Sequence, residues 1–192
     1  MDSKFFTLIR PFLSTIDDGR FFRRPVVWLY MLMACINVLL PFYFLYLAIE
    51  HRFFDSQAIV IFVLGIVWLA IVFACWLGFQ IWWNRKDKVI LSAQPEDDFV
   101  AIPVFSHFVQ TLGEWMGTWI AVVGFVFALL VTILLGKDGY YLGREIGLGF
   151  FSFSAASIIL MPVYGFLIII VTRFFAEAFK ALVAIANNTK KN

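Results

Sequence analysis

The stretch SQAIVIFVLGIVWLAIVFACWLGFQIWWN, residues 56–84, runs for 29 positions without one charged side chain. An α-helix rises 1.5 Å per residue, so about 20 residues cross the roughly 30 Å of hydrocarbon in a bilayer. A run this long and apolar reads as a membrane span, with residues to spare for tilt or for continuing beyond the bilayer. Three more runs obey the same rule: Pro25 to Ile49 (25 residues), Trp115 to Gly136 (22) and Ile146 to Thr172 (27). Together the four take 103 of 192 residues and leave little for a soluble domain.

Composition agrees, at 62% hydrophobic residues with a mean hydropathy of +0.90. The net charge of +2 provides no basic face, so no nucleic-acid partner is expected. The fold class read from these features is all-α. It is a polytopic membrane protein with four transmembrane helices at about 26–49, 58–83, 115–136 and 147–172, forming one membrane domain over 1–192. Amphipathic cytoplasmic helices are expected at the N- and C-termini, in segments 1–24 and 173–192, with a cytoplasmic loop over 84–114.

Basic residues give the orientation. The N-terminal segment has five (Lys4, Arg10, Arg20, Arg23, Arg24), the middle loop three (Arg85, Lys86, Lys88) and the tail four (Arg173, Lys180, Lys190, Lys191). The other two loops hold Arg52, Lys137 and Arg144. Twelve against three predicts that both termini and the middle loop are cytoplasmic. Trp28, Trp82, Trp83, Trp115 and Trp119 fall near the same boundary, where an amphipathic ring is favoured. The first run is too long, and starts too late, for a cleaved signal peptide. Cys35 and Cys75 lie inside spans and read as small buried hydrophobes rather than disulfide or zinc partners.

Outside the spans, Phe5, Leu8, Ile9, Phe12, Leu13 and Ile16 recur at helical spacing, with Pro11 as a kink or new start. They predict a helix lying on the cytoplasmic face, with Arg20, Arg23 and Arg24 at a surface of anionic lipid. In the middle loop, Pro95 and Pro103 interrupt the apolar pieces, Ser106 is placed to cap a helix leading into the third span, and Glu96, Asp97 and Asp98 read as a solvated turn. The fourth span is expected to continue through Arg173, Glu177 and Lys180 until Asn187 and Asn188 break it. Its Arg173–Glu177 and Glu177–Lys180 spacings suit ion pairs. Phe174, Phe175, Phe179, Leu182 and Ile185 on this stretch need cover from membrane, the N-terminal helix or another subunit.

The run RFFAEAFKALVAIANNT at 173–189, with the two spans before it, resembles the tail of small bacterial inner-membrane proteins in a family of unknown function. In these, paired spans precede an Arg/Glu-containing helix and an Asn-rich end. The resemblance covers residues 106–189 and implies a bacterial cell membrane; it carries over no functional residue. Pro11-Phe-Leu-Ser14 and Pro103-Val-Phe-Ser106 each precede an amphipathic stretch and two spans, a pattern compatible with duplication.

Within the spans, Gly113, Gly117, Ala121, Gly124 and Ala128 line one face of the third helix with groups that let another backbone approach. Ala70, Ala74 and Gly78 form a shorter face on the second. Such faces serve packing within the chain or between subunits. Pro41 and Pro162 lie near the middle of the first and fourth spans, and each frees a carbonyl four residues back. With Asn37, Ser154 and Ser157 nearby, these kinks are a candidate pathway. The four runs contain no Asp, Glu, Lys, Arg or His, which weighs against ion-coupled transport. No metal, cofactor or catalytic motif is present; His107 and Glu114, seven apart, are read as an interfacial polar pair. The expected function is therefore non-enzymatic, as an oligomeric scaffold or an accessory subunit of a bacterial inner-membrane complex. The alternative is a passive channel or lipid-handling protein.

Overall fold

A computed structural model describes Ile9, Ser14 and residues 20–92, 101–136 and 155–190. The described residues are helical with no strand, and four helices are long and apolar enough to cross a membrane. We label them α1 (Arg20–Glu50), α2 (Ala58–Ser92), α3 (Ala101–Leu135) and α4 (Ala155–Lys190).

The turn between α1 and α2 is tight. Arg52 adopts the left-handed conformation (φ 53°), which stops α1, and a 3-10 turn at Phe53–Asp55 hands the chain to α2. The pair is thus an antiparallel hairpin. α3 and α4 form the second close pair, and α2 joins the two by packing on α3. Helices therefore meet mainly in chain order. Among the described residues α1 and α4 share no packed interface, so the four helices form an open array.

Several helices outrun the limits read from hydropathy. α2 continues through Ser92 and α3 begins at Ala101, so 84–92 and 101–105 are helical as well, ahead of the start expected at Ser106. The misleading residue was Pro103. It falls in the first turn of α3, where a missing N–H costs nothing because that donor has no partner within the helix. Ser106 is accordingly not a cap. It sits buried inside α3 and donates its hydroxyl to the Ala176 carbonyl of α4 at 2.6 Å. Likewise Asn187 and Asn188 do not end α4, which runs on to Lys190. The acidic run 96–98, Ser154 and all of the N-terminal segment except Ile9 and Ser14 lie outside the described residues.

α3 is not uniform: α-helical Ala101–Trp119 passes into a π turn at Ile120–Gly124, an α turn at Phe125–Leu130 and a second π turn at Val131–Leu135.

Two apolar clusters hold the array together. One joins Val63, Val67, Ile71 and Cys75 of α2 to Phe127, Val131 and Leu135 of α3. The other, nearer the α2–α3 connection, gathers Tyr30, Ala34, Trp82, Val89 and Val104. Cys75 is buried as expected; Cys35 is exposed, a correction, because α1 turns that side away from α2. The tryptophans also divide. Trp28 and Trp83 face outward, whereas Trp82 is wholly buried and belongs to the packing between helices.

The Ser106 bond makes a specific prediction. Its oxygen is the polar tie between the start of α3 and the part of α4 beyond Thr172. Ser106→Ala should cost about 1 kcal/mol, read by chemical unfolding in mixed micelles. Amide exchange should accelerate selectively in 173–190; exchange unchanged there would show that the bond is not holding that segment.

Candidate functional site

The best-defined arrangement of polar groups lies where α1, α2 and α3 meet. Asn37, fully buried on α1, donates its amide Nδ2 to the Met33 carbonyl at 2.8 Å and accepts from Trp115 Nε1 of α3 at 2.8 Å. Because an indole nitrogen only donates, the partner atom on Asn37 must be its oxygen, which orients the amide. The side chain reaches α3 across α2 at Gly78, where an added Cβ would run into Asn37 and come 2.9 Å from the Trp115 ring. Gly78 is the opening that lets Asn37 and Trp115 join.

About two turns away along α1, Tyr30 packs edge-on against Trp82, with centroids 5.0 Å apart, and its hydroxyl meets Thr111 Oγ1 at 3.1 Å. Thr111 spends its own hydrogen on the His107 carbonyl at 2.7 Å, so Tyr30 is the donor. At the rim Arg85 of α2 forms an ion pair with Glu114 of α3, and Gln110 Nε2 donates to the same carboxylate oxygen at 3.1 Å. Glu114 is thus paired across the helices with Arg85, not with His107 as the sequence spacing suggested.

The small-residue face of α3 is resolved in favour of packing within the chain. Gly113 faces Thr172, Gly117 faces the Gly165 carbonyl and Ile169, and Gly124 faces Met161. Ala121 lies against Gly165, and Ala128 is fully buried. All the α4 partners follow in reverse order, as an antiparallel helix pair requires. Gly165 was missed in the sequence, where it was one glycine among apolar residues; its pairing with Gly117 becomes visible only when the two helices are laid antiparallel. Tyr30, Arg85, Thr111 and Trp115 were missed as partners for the same reason.

The candidate pathway does not come together as a unit. Pro41 and Pro162 lie in continuous helices, and the Pro41 carbonyl accepts Trp68 Nε1 at 3.0 Å. Ser157 is buried on α4 one turn beyond Met161, which packs at Gly124. Asn37 sits at the level of Trp115, so the two polar residues are separated by about 20 Å along α3. Ser154 is outside the described residues. Of the surface arginines, Arg20 and Arg23 fall in the first turn of α1 and Arg24 is exposed.

Chemically, this constellation is suited to holding helices. Its hydroxyls, amide and carboxylate each have a partner, while the buried Trp82 Nε1 has none, and among the described residues no group of three His, Cys, Asp or Glu is placed to hold a metal ion. Compared with protein-family models, with curated proteins and with solved structures, the chain matches none.

Proposed function

We propose that this chain is a non-enzymatic, multi-pass protein of a bacterial inner membrane, with both termini cytoplasmic, that acts as an oligomeric scaffold or an accessory subunit of a membrane complex. The observation carrying this reading is the length and exposure of α4. Its 36 residues extend about 54 Å, against roughly 30 Å of hydrocarbon. Among the described residues only α3 packs along it, and beyond Thr172 it leaves Phe174, Phe175, Leu182 and Ile185 exposed. Lipid tails cannot cover the whole of such a helix, and water is a costly neighbour for four large apolar side chains. A protein surface is the cover that fits both facts.

Cytoplasmic termini are supported by the twelve-to-three distribution of basic residues. A catalytic role has less support, because Asn37, Tyr30, Thr111 and Glu114 are engaged in ties between the helices. A passive pathway has less support too, given the separation of Asn37 from Ser157.

The test is stoichiometry in native lipid. Protein carrying one fluorophore, extracted with its surrounding lipid, should bleach in two or more steps, or purify in a fixed ratio with another membrane protein. A single 22.1 kDa protomer surrounded only by lipid would defeat the scaffold reading.

A further inference from the structure

α2 is packed by α1 and by α3, which bury Val67, Ile71, Ala74 and Trp82. Phe62, Leu69, Phe73, Trp76, Gln80 and Trp83 of the same helix are exposed. At 100° per residue the exposed six fall within about 80° of one another, opposite the buried four. Their spacing is that of a helix-pairing seam. Phe62, Leu69, Trp76 and Trp83 succeed one another by seven, with Phe73 and Gln80, also seven apart, between them. Alternating steps of four and three let two helices lie along each other with a slight left-handed twist. From Phe62 to Trp83 the seam rises about 32 Å, the thickness of the hydrocarbon.

Apolar side chains on such a face suit lipid and helix alike, but Gln80 does not. From Ala58 to Trp83 it is the one amide, hydroxyl or charged side chain, and it lies within the stripe. Trp83, with the Lys86 ammonium 3.3 Å from its ring centroid, marks a membrane surface, and Gln80 sits about 4.5 Å inside it. A polar amide facing lipid tails is costly, and a neighbouring span with an amide at the same depth relieves that cost.

The partner that fits this amide is a second copy of the chain. Basic residues orient every copy alike, so α2 of one copy lies parallel to α2 of the next with both Gln80 side chains at one depth. A carboxamide carries an acceptor oxygen and a donor NH2, so two of them about a twofold axis along the membrane normal can exchange two hydrogen bonds. Charges just outside the membrane agree. Asp87 continues the stripe one turn beyond Trp83, is exposed, and directly follows Lys86. In a parallel pair a residue at the Gln80 and Asp87 positions of the seam packs beside the residue that precedes its counterpart. The Asp87 carboxylate of each copy therefore comes beside the Lys86 ammonium of the other.

We propose that the chain pairs with a second copy of itself through this face of α2, around Gln80. The pairing rests on the reading of the chain as self-assembling, and it places the contact on α2, apart from the exposed surface of α4.

Energy transfer between donor-labelled and acceptor-labelled protein, diluted stepwise with lipid in liposomes, tests it. Wild type should associate, Gln80→Leu should weaken association by about tenfold, and Gln80→Asn should retain most of it. Because Gln80 is exposed, Gln80→Leu should keep the helicity and unfolding midpoint of wild type, which separates lost pairing from lost fold. In a Cys35→Ala, Cys75→Ala background, Trp76→Cys should give a disulfide-linked dimer on mild oxidation, whereas Phe166→Cys, exposed on α4, should not. Gln80→Leu associating as wild type does, or cross-linking at Phe166→Cys without cross-linking at Trp76→Cys, would overturn the α2 pairing and leave assembly through another face standing. Wild type that shows no transfer at any dilution would overturn the pairing together with self-assembly.

Discussion

Gly117→Ala and Gly165→Ala are each expected to destabilise the chain by about 3 kcal/mol, at the upper end of the usual cost of overpacking. An added Cβ on Gly117 would stand 2.5 Å from the Gly165 carbonyl oxygen, and one on Gly165 would stand 2.7 Å from Ala121 Cβ and 2.9 Å from the Ala121 backbone nitrogen. Backbone cannot rotate away as a side chain can. α3 and α4 would have to separate, and the flanking contacts Gly113–Thr172 and Gly124–Met161 would loosen with them. Gly124→Ala should be milder, because its obstacle is the flexible Met161 side chain, 3.0 Å away at the sulfur.

Gly65 is the internal control. A Cβ there meets nothing within 4 Å, so Gly65→Ala should be neutral or gain the helix-propensity increment of about 0.5 to 1 kcal/mol. Unfolding in mixed micelles, followed by loss of helicity, reads all four variants. Gly117→Ala unfolding with the stability of Gly65→Ala would mean that α3 and α4 do not touch at these glycines. The same comparison bears on assembly: a face already occupied by α4 is not free for a second copy, so damage should appear first in the fold of the protomer.

Asn37→Leu is expected to cost about 2 to 3 kcal/mol, through an effect of a different kind. It strips Trp115 Nε1 of its acceptor, and an unmet donor between helices carries a desolvation cost of about 1 to 3 kcal/mol. A branched leucine must also fit against Gly78, where Asn37 already occupies the space a Cβ would need. Trp115→Phe, which removes the donor itself, should cost less alone. Combined with Asn37→Leu it should recover about 1 kcal/mol or more relative to the sum of the single changes, as coupled neighbours do. Strict additivity in this double-mutant cycle would contradict the bond. If Asn37 lined an open pathway instead, its replacement would leave stability nearly unchanged.

The two predictions rest on residues that differed in how legible they were. The small-residue stripe from Gly113 to Ala128 was visible because its spacing is local, repeated on one helix. Its partner was not, since Gly165 acquires meaning only opposite Gly117. Asn37 was visible as a polar residue in an apolar run, but spacing placed it beside the carbonyl that Pro41 frees four residues back. The structure gives it to Trp115, 78 positions away. Pro103 and the pair Asn187, Asn188 were read as breaks, yet the helices accommodate them, one in a first turn and the others inside the last turn of α4. Glu114 was matched to His107 on its own helix, whereas the stronger cationic partner, Arg85, arrives from α2.

The division has a physical cause. Moving a charge into hydrocarbon is costly at each residue separately, so four uncharged runs are enough to identify four helices able to cross a membrane, without knowing their neighbours. Contacts between those helices obey another rule. Lipid tails are as apolar as leucine, so hydrophobicity does not distinguish the face that meets a helix from the face that meets lipid. That choice falls to close backbone approach and to hydrogen bonds between residues far apart in the chain: Gly117 on Gly165, Asn37 with Trp115, Ser106 on Ala176. Those pairings turn four interchangeable apolar rods into an ordered open array, and they leave α4 with the apolar surface on which the proposed assembly depends.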